Sequence, residues 1–155
     1  MLHAWVFGPV VITVEYWEQI GMETEVGARV EIRRVQNETI PGAAKGVAGF
    51  RVLPVSDGIW RADLFTGPNG PIYHYHSVFE KGDVGNRHLD PKLTADPVTW
   101  AIEQLADIRA LLAGAGASDV AGAIPQSQLD LLLPTIKAAI ELSFAPLDTH
   151  GGHNA

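Results

Sequence analysis

The sequence predicts an α+β fold, in which an antiparallel, curved or barrel-like sheet over residues ~5–78 precedes two C-terminal helical segments. Two observations carry this prediction. Apolar residues recur at every second position before residue 78, which is typical of strands, and at every third or fourth position after residue 96, which is typical of helices. With 155 residues, the chain has the length of a single domain.

The strand pattern is clearest over residues 26–33, where apolar and polar side chains alternate. Residues 10–17 form a second run that is rich in β-branched and aromatic side chains. Two further strands are expected at 59–65 and 72–78, and the Gly/Pro-rich segment between them contains Asn69-Gly70, a strong hairpin signal. These runs predict an antiparallel sheet of four to six strands.

The helical half is expected to begin at Asp96-Pro97, because aspartate caps free N–H groups and proline fits the first helical position. The apolar stripe from Val98 to Leu112 indicates one amphipathic helix, which the two following glycines end. A second helical region is expected over about 127–144, with a kink or a new helix at Pro134. The predicted parts are a β-rich region (1–78), a long loop (79–95), a helical region (96–145) and a polar tail (146–155).

Composition excludes several classes of function. The 18 acidic and 11 basic residues give a net charge of -7, whereas nucleic-acid binding needs clustered Lys and Arg. The absence of Cys excludes a disulfide scaffold, thiolate-bound zinc and thiol catalysis. No apolar run approaches the ~18–20 residues of a membrane span, and no signal peptide is recognisable, so we expect a cytoplasmic protein. Because only 19% of the residues are charged and 46% are hydrophobic, we expect a homo-oligomer, most simply a dimer.

Residues 71–80 carry the pattern that points to chemistry. Side chains alternate between the faces of a strand, so His74 and His76 share one face while Tyr73 and Tyr75 share the other. The two histidine Cα atoms would lie about 6.5–7 Å apart, so that both imidazoles can reach one metal ion. Imidazole is the commonest protein ligand of zinc, iron and copper.

The hairpin partner of the His strand extends this cluster to Arg61 and Asp63. If the Asn-Gly pair is the two-residue turn, Asp63 faces His76; if the whole Gly/Pro-rich segment is the loop, Asp63 faces His74. In both registers the four residues lie on one face, whereas a slip of one residue would separate them. Asp63 is then either a third ligand or an acceptor that fixes a histidine tautomer.

The long loop after the His strand supplies further candidates. It offers Glu80, Asp83 and His88, and loops of this length are often lids or binding loops. Two histidines and one carboxylate with open positions form the facial-triad ligand set. Glu80 is therefore the predicted third ligand beside His74 and His76, and His88 or Asp83 is the predicted acid or base.

Two resemblances accompany these residues. The pattern His74-x-His76 followed by Glu80 resembles the core of the first cupin motif, a family in which two His and one Glu bind a divalent metal inside a β-barrel. The family's second His motif is missing, because the chain turns helical after Asp96. The whole chain is similar to small uncharacterised proteins typical of actinobacteria, which combine an HYH- or HWH-type strand, an acidic Gly-containing loop and an Asp-Pro helix start.

Three functions fit these residues. The first is a metal-dependent enzyme for a small organic substrate, in which zinc, iron or manganese on His74, His76 and a carboxylate (Glu80 or Asp63) activates water or polarises a carbonyl. The second is a metal-free hydratase, isomerase or decarboxylase, in which an Asp63–His dyad transfers protons and Arg61 binds a substrate carboxylate. The third is a non-catalytic module that binds a small ligand or a partner protein.

The remaining polar and aromatic residues have structural interpretations. Tyr73 and Tyr75 are expected to belong to the core or to its edge. In the tail, His150 and His153 are read either as disordered or as metal ligands. A solvated face of the sheet is expected for the charged residues of the third strand, Arg29, Glu31, Arg33 and Arg34.

Overall fold

The computed structural model describes residues 1–19, 21, 24–36, 55–79 and 83–144. Six strands form one curved antiparallel sheet, and helices follow it, so the predicted α+β class is confirmed. The strands are β1 (Leu2–Phe7), β2 (Val10–Gln19), β3 (Glu25–Val35), β4 (Val55–Gly67), β5 (Gly70–Pro71) and β6 (His74–His76). Their order is β1-β2-β3-β4-β5, and β6 pairs with β4 beyond β5.

The helical half contains five helices in the described part of the chain, not the two segments predicted from sequence. They are α1 (Pro91–Ala95), α2 (Pro97–Ala106), α3 (Ile108–Gly114), α4 (Ser118–Ala121) and α5 (Gln126–Phe144). None of these helices is long and apolar enough to cross a membrane.

Two consecutive Asp-Pro pairs start the first two helices. The Asp96 side chain accepts a hydrogen bond from the backbone N–H of Thr99 (3.0 Å), as the sequence predicts. Asp90 caps α1 in the same way through the N–H of Lys92 (2.8 Å). The predicted loop over 79–95 is therefore wrong in its last part, because Asp90-Pro91 carries the same start signal as Asp96-Pro97.

The first predicted helical segment is divided into two helices, whereas the second is one continuous helix. Asp107 separates α2 from α3, and the carbonyl of Ala106 accepts a hydrogen bond from the side-chain amide of Gln126 (3.1 Å). Conversely, no new helix begins at Pro134, since α5 continues through it. Buried residues on both sides of the proline, Leu129 and Ile136, belong to the same core and hold α5 together as one element.

The helices cover one face of the sheet. α5 lies against β1, β2 and β3, and α2 packs on α5. The sheet residues buried on this face occupy alternate positions, as the strand pattern requires. They are Val10, Ile12, Val14, Ala28, Val30, Ile32, Trp60, Ala62 and Leu64.

The register of the last hairpin decides which residues meet on the opposite face. Gly67 pairs with Gly70, so the turn residues are Pro68 and Asn69 rather than Asn69 and Gly70. Continuing the same register places Asp63 opposite His74, which is the second of the two arrangements that the sequence allows.

Gly27 in β3 allows β3 and β4 to approach closely. A Cβ at this position would lie 2.1 Å from the carbonyl oxygen of Leu64, which is far inside van der Waals contact. The pairing of β3 with β4 also brings charged side chains of the two strands together on the sheet face that the helices do not cover. The close approach at Gly27 therefore also determines how these charged side chains are arranged.

We expect the change Gly27→Ala to lower the free energy of unfolding by about 2–4 kcal/mol, because β3 and β4 must separate to admit the methyl group. Denaturant titration measures this. The matched control is Gly114→Ala, whose Cβ meets nothing within 4 Å and which is expected to be neutral or stabilising by up to about 1 kcal/mol. Equal stabilities of the two variants would contradict the close approach.

Candidate functional site

Two rows of side chains cross the sheet on the face opposite the helices. Directly opposed residues of an antiparallel pair have neighbouring side chains, so each row is a line of contacts across β3, β4 and β6. The first row is Arg29, Asp63 and His74, and the second row is Glu31, Arg61 and His76. The rows are two residues apart on every strand, so all six side chains share one face.

Charges of opposite sign alternate along and between these rows. The Nε–H of Arg29 donates to Oδ1 of Asp63 at 2.7 Å, and the guanidinium of Arg61 is ion-paired with Glu31. Asp63 is 3% exposed and Glu31 is 5% exposed. A buried carboxylate requires such compensation, because its transfer from water is otherwise very costly.

Aromatic rings hold the guanidinium of Arg29 in position. Its central carbon lies 3.9 Å from the ring centroid of Trp17 and 5.4 Å from that of Phe65. Cation–π contacts of this kind add attraction without removing N–H donors from use. The positive charge that pairs with Asp63 is therefore itself held in place by two aromatic rings.

The two histidines are oriented by backbone carbonyl groups. The Nδ1 of His74 lies 2.8 Å from the carbonyl oxygen of Ile72, and the Nδ1 of His76 lies 3.1 Å from that of Asn86. A carbonyl oxygen only accepts hydrogen bonds, so Nδ1 carries the proton in both rings. In a neutral imidazole this leaves Nε2 with a free lone pair.

The free nitrogen atoms converge on one carboxylate oxygen. Nε2 of His74 lies 3.4 Å and Nε2 of His76 lies 3.5 Å from Oδ2 of Asp63. These three atoms all lie within 4.8 Å of one another, close enough to hold one metal ion. Two ligands at 2.0–2.2 Å from a tetrahedral metal ion would be about 3.3–3.6 Å apart, so the two N–O distances fit a shared metal ion.

The protonation equilibria of the site favour a charged carboxylate and a neutral His76. Burial by itself raises the pKa of Asp63, but the neighbouring His74 and Arg29 side chains outweigh it, and the net pKa lies below its ordinary value. Burial lowers the pKa of His76; the attraction of Asp63 opposes this shift, while His74 and Arg61 reinforce it. His76 is therefore held in the form that binds metal ions.

Asp63, His74 and His76 line a cavity of about 200 Å³. Val84, Gly85 and Arg87 line it from the loop that follows the His strand. Gly85 has a φ of +68°, and a Cβ there would lie 2.8 Å from the carbonyl oxygen of Val78. This backbone conformation lets the loop run close to the strand, where the neighbouring Asn86 carbonyl meets His76.

A family profile described as Domain of unknown function (DUF7700) matches residues 23–140, which is more than half of the chain. The chain belongs to this family. No curated protein and no solved structure matches the chain. The matched segment contains both rows of the site and Arg87, but not β1 or β2.

In this DUF7700 domain, the other face of the His strand serves the core. Tyr73 packs edge-on against Phe144 (ring centroids 6.1 Å apart), and Tyr75 packs against Trp100 (5.2 Å). Both tyrosines are partly buried and pack against the core, so they lie at its edge, one of the two places predicted for them. Because His and Tyr alternate, the histidine side chains of this short strand face the site and the tyrosine side chains face the helices.

The structure does not bring His88 to the two strand histidines. Its ring stacks on Tyr75 (5.2 Å) and its Nε2 lies 3.1 Å from Oγ of Ser77, on the opposite face of the strand. The reciprocal backbone hydrogen bonds between Tyr75 and His88 fix this position. The acid or base role predicted for His88 at this site is therefore corrected: the pairing directs its side chain away from Asp63.

The other predicted residues have different positions. Arg61 lines the cavity, but its guanidinium is already paired with Glu31, so it is not a free carboxylate receptor. Asp83 is exposed and accepts a hydrogen bond from the N–H of Gly85 (3.3 Å), which makes it a turn residue and not a cavity residue. Glu80, the predicted third ligand, lies outside the described residues, as do His150 and His153.

Sequence reasoning missed the contribution of β3. The sequence predicts a solvated face for Arg29 and Glu31, but both are paired within the site. Arg34 agrees with the prediction, since its ion pair with Asp119 is exposed. The missing information was the register of β3 against β4, whose partners are far apart in the chain. A signal was available in retrospect, since the strand carries opposite charges at positions two residues apart.

The pair of Arg29 and Asp63 gives a test of this charge arrangement. We expect Arg29→Gln to lower the free energy of unfolding by about 2–4 kcal/mol, because it leaves a buried carboxylate without its cation. Chemical denaturation measures the change. The control, Arg34→Gln, removes an exposed pair with Asp119 and is expected to cost less than about 1 kcal/mol. A cost no larger at Arg29 than at Arg34 would refute the role given to this ion pair.

Proposed function

We propose that the protein binds one divalent metal ion, of the zinc, iron or manganese class, through Nε2 of His74, Nε2 of His76 and Oδ2 of Asp63. The observation that carries the proposal is the convergence of these three atoms, with both Nδ1 atoms committed to backbone carbonyls. Second partners of this kind orient histidine ligands in metal sites. Arg29, bound to the other carboxylate oxygen, plays the corresponding part for Asp63.

The orientation of the histidines supports a cation between the three groups. With Nδ1 as donor, neutral imidazoles would direct two nitrogen lone pairs at a charged carboxylate oxygen, which is repulsive. Either a metal ion or additional protons remove this repulsion. The lowered pKa of His76 disfavours an additional proton on that ring.

The ligand set supports catalysis rather than a purely structural role. Structural zinc sites are closed by four protein ligands, whereas catalytic sites use three and leave positions open. Among the described residues, three candidate ligands border a cavity of about 200 Å³. We propose an enzyme for a small organic substrate, in which the metal ion activates water or polarises a carbonyl group.

The metal-free alternative rests on the same contact. A proton shared between Asp63 and His74, whose facing atoms are 3.4 Å apart, would provide an acid–base dyad for a hydratase, isomerase or decarboxylase. Metal analysis separates the two proposals, since only the first requires a bound ion.

Metal content is the decisive measurement. We expect protein purified without a histidine tag to contain about one equivalent of zinc, iron or manganese by mass spectrometry. His74→Ala and His76→Ala should each reduce this to background, because two remaining ligands bind weakly, and Asp63→Asn should reduce the affinity at least tenfold. The matched control is His88→Ala, which removes a nearby histidine on the other face and should leave the metal content unchanged.

The change in Tm on adding metal provides a second measurement in case a variant folds poorly. A metal ion at 100 times its Kd stabilises the native state by about 2.7 kcal/mol, which corresponds to roughly 5–10 °C in Tm for a chain of this size. We expect this rise in wild-type protein and in His88→Ala, and its absence in His76→Ala. Metal-free wild-type protein whose Tm does not respond to any of the three metals would rule out the proposal.

We also propose that the protein forms a homodimer through the edge strand β1. Leu2 and Val6 are 64% and 41% exposed, and the strand Leu2–Phe7 contains no Lys, Arg, Asp, Glu or Pro. Uncharged edge strands tend to pair with another strand, which is why charges and prolines commonly protect them. This supports the expectation of a homo-oligomer.

Light scattering tests the dimer. Wild-type protein at micromolar concentration should have about twice the mass of one 16.7 kDa chain, and the double variant Leu2→Lys/Val6→Lys should be monomeric. Leu131→Lys is the control, because Leu131 is 81% exposed but lies on α5. A monomeric wild-type protein would disprove the proposal.

A further inference from the structure

Several basic residues gather at the cavity in front of the proposed metal centre. The chain carries a net charge of -7, yet three of its 11 basic residues, Arg29, Arg61 and Arg87, line this one cavity. The cavity carboxylates are Glu25 and Asp63. A divalent ion would raise the local charge by a further two units, so a ligand that approaches the centre meets a positive potential.

The three arginines differ in what they can offer a ligand. Arg29 and Arg61 are paired with Asp63 and Glu31, which neutralises most of their charge. Arg87 is exposed and also lines the cavity. It follows Asn86, whose carbonyl is hydrogen-bonded to Nδ1 of His76, so its backbone is tied to the proposed metal ligands. Arg87 is therefore the guanidinium best placed to receive an anion.

The size and walls of the cavity limit the ligand further. A volume of about 200 Å³ lies below the ~300–1,000 Å³ of sites for drug-sized molecules, which indicates a ligand of roughly ten or fewer non-hydrogen atoms. Phe65 and Val84 add apolar surface to the lining. A mainly polar lining with these two apolar residues suits a small organic acid, whose charged group pairs with a cation and whose short carbon skeleton has an apolar contact.

We propose that the substrate is a small carboxylic acid, bound as its carboxylate, and that Arg87 is the residue that recognises the carboxylate. This inference rests on the proposed metal centre, because the open metal positions and Arg87 border the same cavity. The planar guanidinium group matches a carboxylate with two parallel hydrogen bonds. The metal centre is then left to act on the functional group next to the carboxylate.

Calorimetric titration of the metal-loaded protein tests the proposal. The probes are propionate, lactate and pyruvate, each compared with its uncharged amide and with inorganic phosphate. We expect at least one carboxylate to bind at least tenfold more tightly than its amide and more tightly than phosphate. Arg87→Gln should weaken this binding about tenfold or more, the effect of losing charge-assisted hydrogen bonds, without changing the metal content. Arg34→Gln, which makes the same charge change away from the cavity, should alter the affinity less than twofold.

The outcomes distinguish this inference from the proposed function. Stoichiometric metal together with amides that bind as tightly as carboxylates, or with equal effects of Arg87→Gln and Arg34→Gln, would overturn the inference and leave the metal centre standing. Tighter binding of phosphate than of every carboxylate would reject the ligand class. Protein that takes up no metal would overturn the proposed function itself, which the metal analysis of the same samples reveals directly.

Discussion

The carboxylate of Asp63 is the group on which the arrangement of the site depends. It is buried on the middle one of three paired strands, and its two oxygen atoms contact different partners. Oδ1 accepts from Arg29 on β3, and Oδ2 faces both histidines of β6. A buried charge is tolerated only when it is compensated, so the position of Arg29 and the register of β3 are part of the same requirement.

The strand β6 connects this site with the hydrophobic core through its alternating side chains. His74 and His76 point to Asp63, while Tyr75 packs on Trp100, whose indole N–H donates to Asp90 at 2.9 Å. Asp90 in turn caps α1. The helices thus hold a three-residue strand that would be too short to be fixed by its backbone hydrogen bonds alone. Packing of this kind on the Tyr face keeps the two histidines in a fixed orientation toward Asp63.

The sequence was sufficient where the information is local. The period of the apolar residues gave the α+β class and the change from sheet to helices, and Asp96-Pro97 gave the start of α2. The alternation in β6, read across a hairpin, grouped Arg61, Asp63, His74 and His76 on one face. Such short-range patterns can be interpreted from sequence, because a hairpin and a strand each allow only two or three arrangements of their side chains.

Tertiary structure decided what depends on partners distant in the chain. The pairing of β3 with β4 brought Arg29 to Asp63 and Glu31 to Arg61, although the charges of β3 look like a solvated face in the sequence. Likewise, the bridge between Tyr75 and His88 directed His88 away from the site, and the loop placed Arg87 at the cavity. The sequence by itself thus determined the kinds of side chain that share one sheet face. Which charges compensate one another was determined only by strand pairing, because a buried ion pair forms between residues that are adjacent in space and independent in sequence.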